Sequence, residues 1–113
     1  WRRDFYVLGA PEAFRLLQEG KAVLLDVRER DEYEASHIPG ALHIPVRDLA
    51  HADLHPLRRA AGVIPYCWKD LRGFEGARRL QILGLDNVGL LEGYGLNAWT
   101  AAGLPLEGRD IPR

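Results

Sequence analysis

The sequence predicts an α/β domain in which helices cover both faces of a parallel sheet. Short apolar runs, closed by charges or glycines, alternate along the chain with segments of helical periodicity. These runs lack the polar–apolar alternation of a half-exposed strand, which favours buried parallel strands. A length of 113 residues suits one domain with a buried core and is too short for two, so we treat 1–113 as a single domain.

The first half of the chain is expected to hold two strands and three helical segments. Pro11 in a first turn and Gly20 after the end bound the first helix, and Asp31 is a candidate cap for the second. The predicted elements are a helix over 11–18, a strand over 22–27, a helix over 31–36, a turn over 37–40, a strand over 41–44 and a helical stretch over 45–54 that stops near Pro56.

The second half repeats the alternation. The predicted elements are a strand over 63–66, a helix over 74–85, a strand over 87–91, a turn over 93–95 and a helix over 96–102. In the longer helix, Phe74, Ala77, Leu80 and Leu83 share one face, and two arginines lie on the opposite, solvated side. Because functional groups of such folds gather at the carboxyl ends of strands, we expect a site there.

Cys67 is the only cysteine of the chain, and it directly follows the predicted strand over 63–66. Backbone N–H groups converge between a strand end and a helix start, and Lys69 and Arg72 add positive potential. Such surroundings lower the pKa of a thiol and favour a nucleophilic thiolate. The sequence therefore predicts a reactive Cys67 with a depressed pKa. The alternative, an inert buried thiol, is the commoner state of a free cysteine.

The histidines do not supply a base for this cysteine. His37 lies in a Pro–Gly turn, where a structural hydrogen-bonding role is expected. His51 and His55 are spaced i, i+4, as metal ligands on a helix would be, but no third ligand accompanies them. We therefore do not expect a metal site at these two histidines.

Composition narrows the class of partner and the compartment. A net charge of -1 gives no electrostatic footprint for nucleic acid, and no apolar stretch reaches the roughly 20 residues of a membrane span. One cysteine leaves no intrachain disulfide, which favours a reducing compartment, and we expect a cytoplasmic monomer. The chain begins at Trp1 and contains no methionine, so an upstream signal, anchor or fused domain stays open.

Three ordered segments resemble the rhodanese-like single-domain sulfurtransferase family, over about residues 5–108. They are Asp26-Val-Arg-Glu29 with Glu32-Tyr33, His37-Ile-Pro-Gly-Ala41 and Ile44-Pro45; then Tyr66-Cys67 with Arg72; then Glu92-Gly93, Ala98-Trp99, Ala102-Gly-Leu-Pro105 and Glu107-Gly108. The resemblance implies a three-layer fold with a central parallel sheet of about five strands. It also implies a sulfurtransferase in which the Cys67 thiolate takes a sulfane sulfur from thiosulfate or a related small anion, with no metal and no organic cofactor.

In that reaction a Cys67 persulfide passes its sulfur to cyanide, a thiol or a protein cysteine. The resemblance makes Cys67 catalytic and makes the loop residues Trp68, Lys69, Asp70, Leu71 and Arg72 the substrate-binding segment. Four residues separate Cys67 from Arg72, one fewer than in related phosphatases and arsenate reductases, and this shorter loop fits sulfur better than phosphate.

Two loop residues depart from the family pattern. Asp70 stands where many active members have glycine, and its charge opposes a dianionic donor; Trp68 is bulky where polar residues are common. These departures leave the donor and acceptor open. Two alternatives to a sulfurtransferase also stay open, a non-catalytic interaction module and a persulfide carrier in a sulfur relay.

Overall fold

The structure, a computed structural model, describes residues 5–93 and 95–112. Its strands are β1 Tyr6–Leu8, β2 Val23–Asp26, β3 Leu42–His43, β4 Val63–Tyr66 and β5 Gly89–Leu91. Its α-helices are α1 Ala10–Gln18, α2 Arg30–Ala35, α3 His55–Arg59, α4 Arg72–Ile82 and α5 Leu96–Ala101, and a 3₁₀ helix covers Val46–His51. None of the described helices is both long and apolar enough to cross a membrane.

All named strand pairs are parallel, as the sequence predicts. One sheet has the order β3-β2-β4, and β1 pairs with β5 in a second. A single parallel bridge between Val63 and Val88 joins β4 to the start of β5. The five strands therefore lie side by side, although no one sheet of the described chain holds all of them.

The two faces of the sheets bury separate apolar clusters. Leu25 and Val63 belong to one cluster, with residues of α4 and the 3₁₀ helix. Their strand neighbours Leu24 and Ile64 belong to the other, with residues of α1 and α5. Because successive side chains of a strand point to opposite faces, this alternation means that both faces are covered. The sequence-based expectation of a doubly covered parallel sheet is confirmed.

Several element boundaries differ from their predictions. The region expected to be one helix over 45–54 is a 3₁₀ helix, and Pro56, expected to stop it, instead sits in the first turn of α3. Helix α2 is capped by Glu29 in a capping box with Glu32, not by Asp31. Strand β1 was not predicted, because two of its three residues are exposed and leave no buried apolar run.

Helix α4 begins at Arg72, two residues earlier than its periodicity indicates. Gly73 and Gly76 in its first turns are poor helix formers, but both are buried, and a Cβ on Gly76 would lie 3.1 Å from Val27 Cγ1. Close packing against the sheet thus outweighs propensity here. The consequence for the site is that the loop after β4 contains only residues 67–71.

Candidate active site

The carboxyl ends of β2 and β4 bring the central residues of the site together. Asp26 is the register partner of Tyr66, so Cys67 emerges beside the end of β2. Cys67 is fully buried and belongs to the apolar cluster on the α4 side of the sheet. The nucleophile predicted from the sequence therefore lies at the base of its loop, not on the surface.

The Cys67 thiol is held by its own loop. The Sγ atom donates a hydrogen bond to the backbone carbonyl oxygen of Asp70 at 3.1 Å. The backbone N–H of Gly73, in the first turn of α4, donates to the sulfur and lowers the pKa of the thiol. Burial and the hydrogen bond and charge of Asp70 act in the opposite direction and raise the pKa of Cys67 to about 12. The prediction of a depressed pKa was wrong for this state, because burial and Asp70 outweigh Gly73 and Arg72.

The Asp70 side chain faces both the thiol and Arg72. Its Oδ1 atom accepts the backbone N–H of Arg72 at 3.0 Å, and both carboxylate oxygens accept from Arg72 Nε at 3.1 and 3.0 Å. These bonds, together with a hydrogen bond from Cys67, lower the pKa of Asp70 to about 2. The loop position that departs from the family pattern therefore carries a full negative charge next to the sulfur at neutral pH.

Arg72 joins this loop to helix α2. Its Nη1 and Nη2 atoms donate to the two carboxylate oxygens of Glu32, 40 residues away in sequence, at 2.6 and 3.0 Å. We call this two-pronged ion pair between Arg72 and Glu32 the fork. Glu32 and Asp70 both raise the pKa of Arg72, and Arg72 in turn lowers the pKa of Glu32. The sequence did not indicate this ion pair, because no local pattern connects Glu32 with Arg72. Arg72 is thus a brace between two acidic groups as well as a source of positive charge.

The other predicted substrate-binding residues line the outer side of the loop. Trp68 and Leu71 are exposed, by 41% and 64%, although both are large hydrophobic residues. Lys69 is also exposed and has no ion-pair partner among the described residues. The loop that follows the buried sulfur therefore exposes two apolar side chains and one cation to solvent.

The start of α5 fixes the position of the cysteine backbone. The carbonyl oxygens of Cys67 and Trp68 accept the N–H groups of Leu96 and Asn97 at 2.8 and 3.2 Å. Gly95 forms a parallel bridge with Cys67, and a Cβ at Gly95 would lie 2.1 Å from the Cys67 carbonyl oxygen. Only glycine permits this approach. The sequence predicted a turn over 93–95, and the middle residue of that turn lies outside the described residues. The prediction did not indicate the contact between Gly95 and Cys67.

Asp26 and Arg28 form a buried ion pair at the end of β2. Asp26 accepts hydrogen bonds from the backbone N–H, Nε and Nη2 of Arg28, at 2.9, 3.0 and 2.8 Å. Arg28 Nη2 also donates to the carbonyl oxygen of Ser36 at 2.5 Å. Tyr66 accepts the N–H of Ile38 at 3.1 Å, and burial raises the pKa of its hydroxyl. Asp26 and Arg28 are satisfied by each other and brace the strand end.

His37 makes the structural hydrogen bonds that were expected of it. His37 Nδ1 lies 2.7 Å from the carbonyl oxygen of Tyr33, and Nε2 lies 3.1 Å from Glu107 Oε1. The Tyr33 ring stacks on His37 and His43, with centroids 3.9 and 4.5 Å apart. Among residues 5–93 and 95–112, no three metal-binding side chains converge, and this includes the surroundings of His51 and His55.

A doubly covered parallel sheet with a cysteine between a central strand and the following helix defines a class of α/β thiol domains. Residues 10–102 match the family described as the rhodanese-like domain, which is most of the chain. The protein belongs to this family, and sulfurtransferases are among its homologues.

Relatives within the family have different overall functions. An HTH-type transcriptional regulator of Mycobacterium tuberculosis is 34% identical over 116 residues, which cover 89% of this chain and 47% of the regulator. Human thiosulfate:glutathione sulfurtransferase is 55% identical over 42 residues, or 37% of this chain and 36% of the enzyme. The chain thus spans about half, or less, of these curated relatives.

A solved structure supports the fold assignment. Thiosulfate sulfurtransferase from Pseudomonas aeruginosa superposes with a TM-score of 0.78 at 36% identity. The match covers 92% of this chain and 20% of the Pseudomonas chain.

Proposed function

We propose that this domain is a sulfurtransferase that carries sulfane sulfur on Cys67. The observation that supports this most directly is the position of Cys67, at the carboxyl end of β4 in a five-residue loop closed by α4, within a family that includes sulfurtransferases. Thiosulfate or an organic persulfide would be the donor, and a small thiol, a protein cysteine or cyanide the acceptor.

In this mechanism the Cys67 sulfur attacks the sulfane sulfur of the donor, and the donor's remaining part leaves. With thiosulfate the leaving group is sulfite, and a Cys67 persulfide remains. The Gly73 N–H points at the sulfur and is placed to receive the charge that develops there. An acceptor thiolate then attacks the outer sulfur and regenerates Cys67.

The raised pKa of Cys67 adds a requirement to this proposal. The resting thiol keeps its proton and donates a hydrogen bond to Asp70. Sulfur transfer needs the thiolate, so loss of this proton must accompany donor binding. Movement of Asp70 away from the sulfur would remove one of the groups that hold the thiol protonated.

Intact-protein mass spectrometry tests the proposal. Treatment with thiosulfate, and separately with an organic persulfide, should add the mass of one sulfur atom to the wild type and none to Cys67→Ser. Reduction should remove the added mass. A wild type that stays unmodified with both donors, while its circular dichroism shows a folded domain, would contradict the proposal.

A second candidate is a non-catalytic interaction module, which the Mycobacterium regulator favours because about half of that protein consists of a domain like this one. A persulfide carrier within a relay lies between the two candidates. Assays of sulfur loading and release distinguish these three functions. A catalyst cycles with donor and a small thiol, a carrier loads but releases sulfur only to a protein thiol, and a module never loads.

A further inference from the structure

The guanidinium that lies nearest to Cys67 in the loop sequence, that of Arg72, is already engaged by two carboxylates. All three nitrogens of Arg72 already donate to carboxylates, Nε to Asp70, Nη1 to Glu32 and Nη2 to both. The two carboxylates outnumber the guanidinium that they share. Lys69 restores the balance of charge, but its side chain is exposed to solvent, whereas Asp70 is in contact with the sulfur.

Hydrogen bonding, like charge, limits which sulfur donors can bind next to Asp70. A carboxylate only accepts hydrogen bonds, and the outer oxygens of thiosulfate also only accept them. Thiosulfate next to Asp70 would therefore oppose a like charge and leave acceptors facing each other. Thiosulfate is also a dianion, whereas a neutral perthiol, R–S–SH, carries an S–H group. That group can donate to Asp70, as the Cys67 thiol already does.

We propose that the physiological donor class is the organic persulfides, and that Asp70 is the residue that selects them over thiosulfate. The inference rests on the sulfurtransferase function proposed above. It assigns to the position that departs from the family pattern a role in choosing the substrate. Glu32 supports that role, because its fork holds the Arg72 nitrogens that would otherwise face an anionic donor.

The step balances without an oxidant. Cys67–SH and R–S–SH give Cys67–S–SH and R–SH: an S–S bond forms between Cys67 and the sulfane sulfur, and the R–S–SH sulfur–sulfur bond breaks. The departing R–S⁻ takes up the proton that the Cys67 thiol loses. Asp70 accepts a hydrogen bond from S–H groups of the reactant and product, so it remains satisfied throughout.

The experiment compares sulfur loading of Cys67 by thiosulfate and by 2-hydroxyethyl persulfide, followed by intact mass. The variants are Asp70→Asn, which removes the charge at constant shape, and Glu75→Gln, which removes a charge one turn along α4 in a pair with Arg79. We expect the wild type to prefer the persulfide by about tenfold or more, as repulsion between a carboxylate and a nearby dianion implies. Asp70→Asn should largely erase this preference, and Glu75→Gln should keep it.

A salt series on the wild type tests the same point without any substitution. Raising ionic strength should speed loading by thiosulfate, because it screens the repulsion, and leave the persulfide rate nearly unchanged. Equal or better loading by thiosulfate, or thiosulfate loading that slows with salt, would overturn the inference while the sulfurtransferase function stands. Failure of both donors to load the wild type would overturn that function and the inference together.

Discussion

The ends of β2 and β4 carry the same local structure in two different environments. Each has an Asp-x-Arg unit, Asp26 with Arg28 and Asp70 with Arg72, in which the arginine N–H and Nε both donate to the aspartate two residues before. Each arginine also reaches helix α2, one at the carbonyl of Ser36 and the other at Glu32.

The difference between the two units is burial. Asp26 and Arg28 are 0% and 4% exposed, so the ion pair between them is shielded from solvent. The side chains of Asp70 and Arg72 are 51% and 28% exposed, and the Asp70 carboxylate also contacts the Cys67 thiol. One geometry therefore serves as a fixed brace where it is buried. Where it is open to solvent and next to the Cys67 thiol, we propose that it selects the sulfur donor.

The largest expected effect comes from breaking each unit with the same substitution. Asp26→Ala should cost about 3–5 kcal/mol of unfolding free energy, because it leaves Arg28 buried without a counter-charge. Asp70→Ala should cost about 0–1 kcal/mol, since solvent screens the exposed pair. Urea unfolding of both variants measures the contrast. Equal losses would show that burial does not distinguish the two units.

The second expected effect concerns the support that only the β4 loop receives from α5. Gly95→Ala should destabilise the domain by about 1–3 kcal/mol, as an overpacked site does, and slow sulfur loading, because the added Cβ displaces the Cys67 carbonyl. Gly9→Ala is the matched control: its Cβ would meet nothing closer than 3.7 Å, and its φ of -70° suits alanine. A Gly95→Ala variant that loads at the wild-type rate would mean that α5 does not position the cysteine.

A third prediction compares the two cations of the loop. Arg72→Ala should reduce sulfur loading by about 10–100-fold, the value of lost charged hydrogen bonds, because the loop loses its tie to Glu32. Lys69→Ala should change it much less, since this side chain holds nothing in place. Arg72→Lys should rescue little, because lysine cannot reproduce the fork. Similar losses for Arg72→Ala and Lys69→Ala, measured as kcat/KM, would indicate a purely electrostatic role.

The smallest expected effect is a shift in thiol titration. Because the pKa of Cys67 is raised to about 12, alkylation of the resting protein should keep accelerating above pH 8.5, roughly the pKa of free cysteine. Asp70→Asn should move the midpoint down, since it removes one of the groups that raise the pKa. The rate of iodoacetamide modification against pH records both curves. A wild-type midpoint at or below that of free cysteine would contradict the closed thiol geometry.

Sequence patterns predicted the features that depend on neighbours in the chain. The apolar run over 63–66 predicted β4 and hence the place of Cys67 at the end of a buried strand. The fork between Glu32 and Arg72 and the contact of Gly95 with Cys67 were not predicted. Both depend on tertiary contacts between distant segments, which local periodicity does not encode.

The pKa of Cys67 shows a different limit of sequence reasoning. Lys69, Arg72 and the helix start are visible in the sequence and all favour a thiolate. The depth of the sulfur and its contact with Asp70 are not visible, and they reverse the direction. A loop composition therefore indicates which charges are present, while burial decides which of them determines the pKa.

The presence of one cysteine in these 113 residues makes sulfur loading a counting experiment. With donor in excess and no acceptor, Cys67 is loaded with sulfur once per chain. These residues contain no second thiol to which the persulfide could pass its sulfur. The plateau of loaded protein then gives the number of competent molecules in a preparation, independently of their rate. Variants such as Asp70→Asn and Gly95→Ala can thus be compared per working site, which separates slow chemistry from a partly inactive sample.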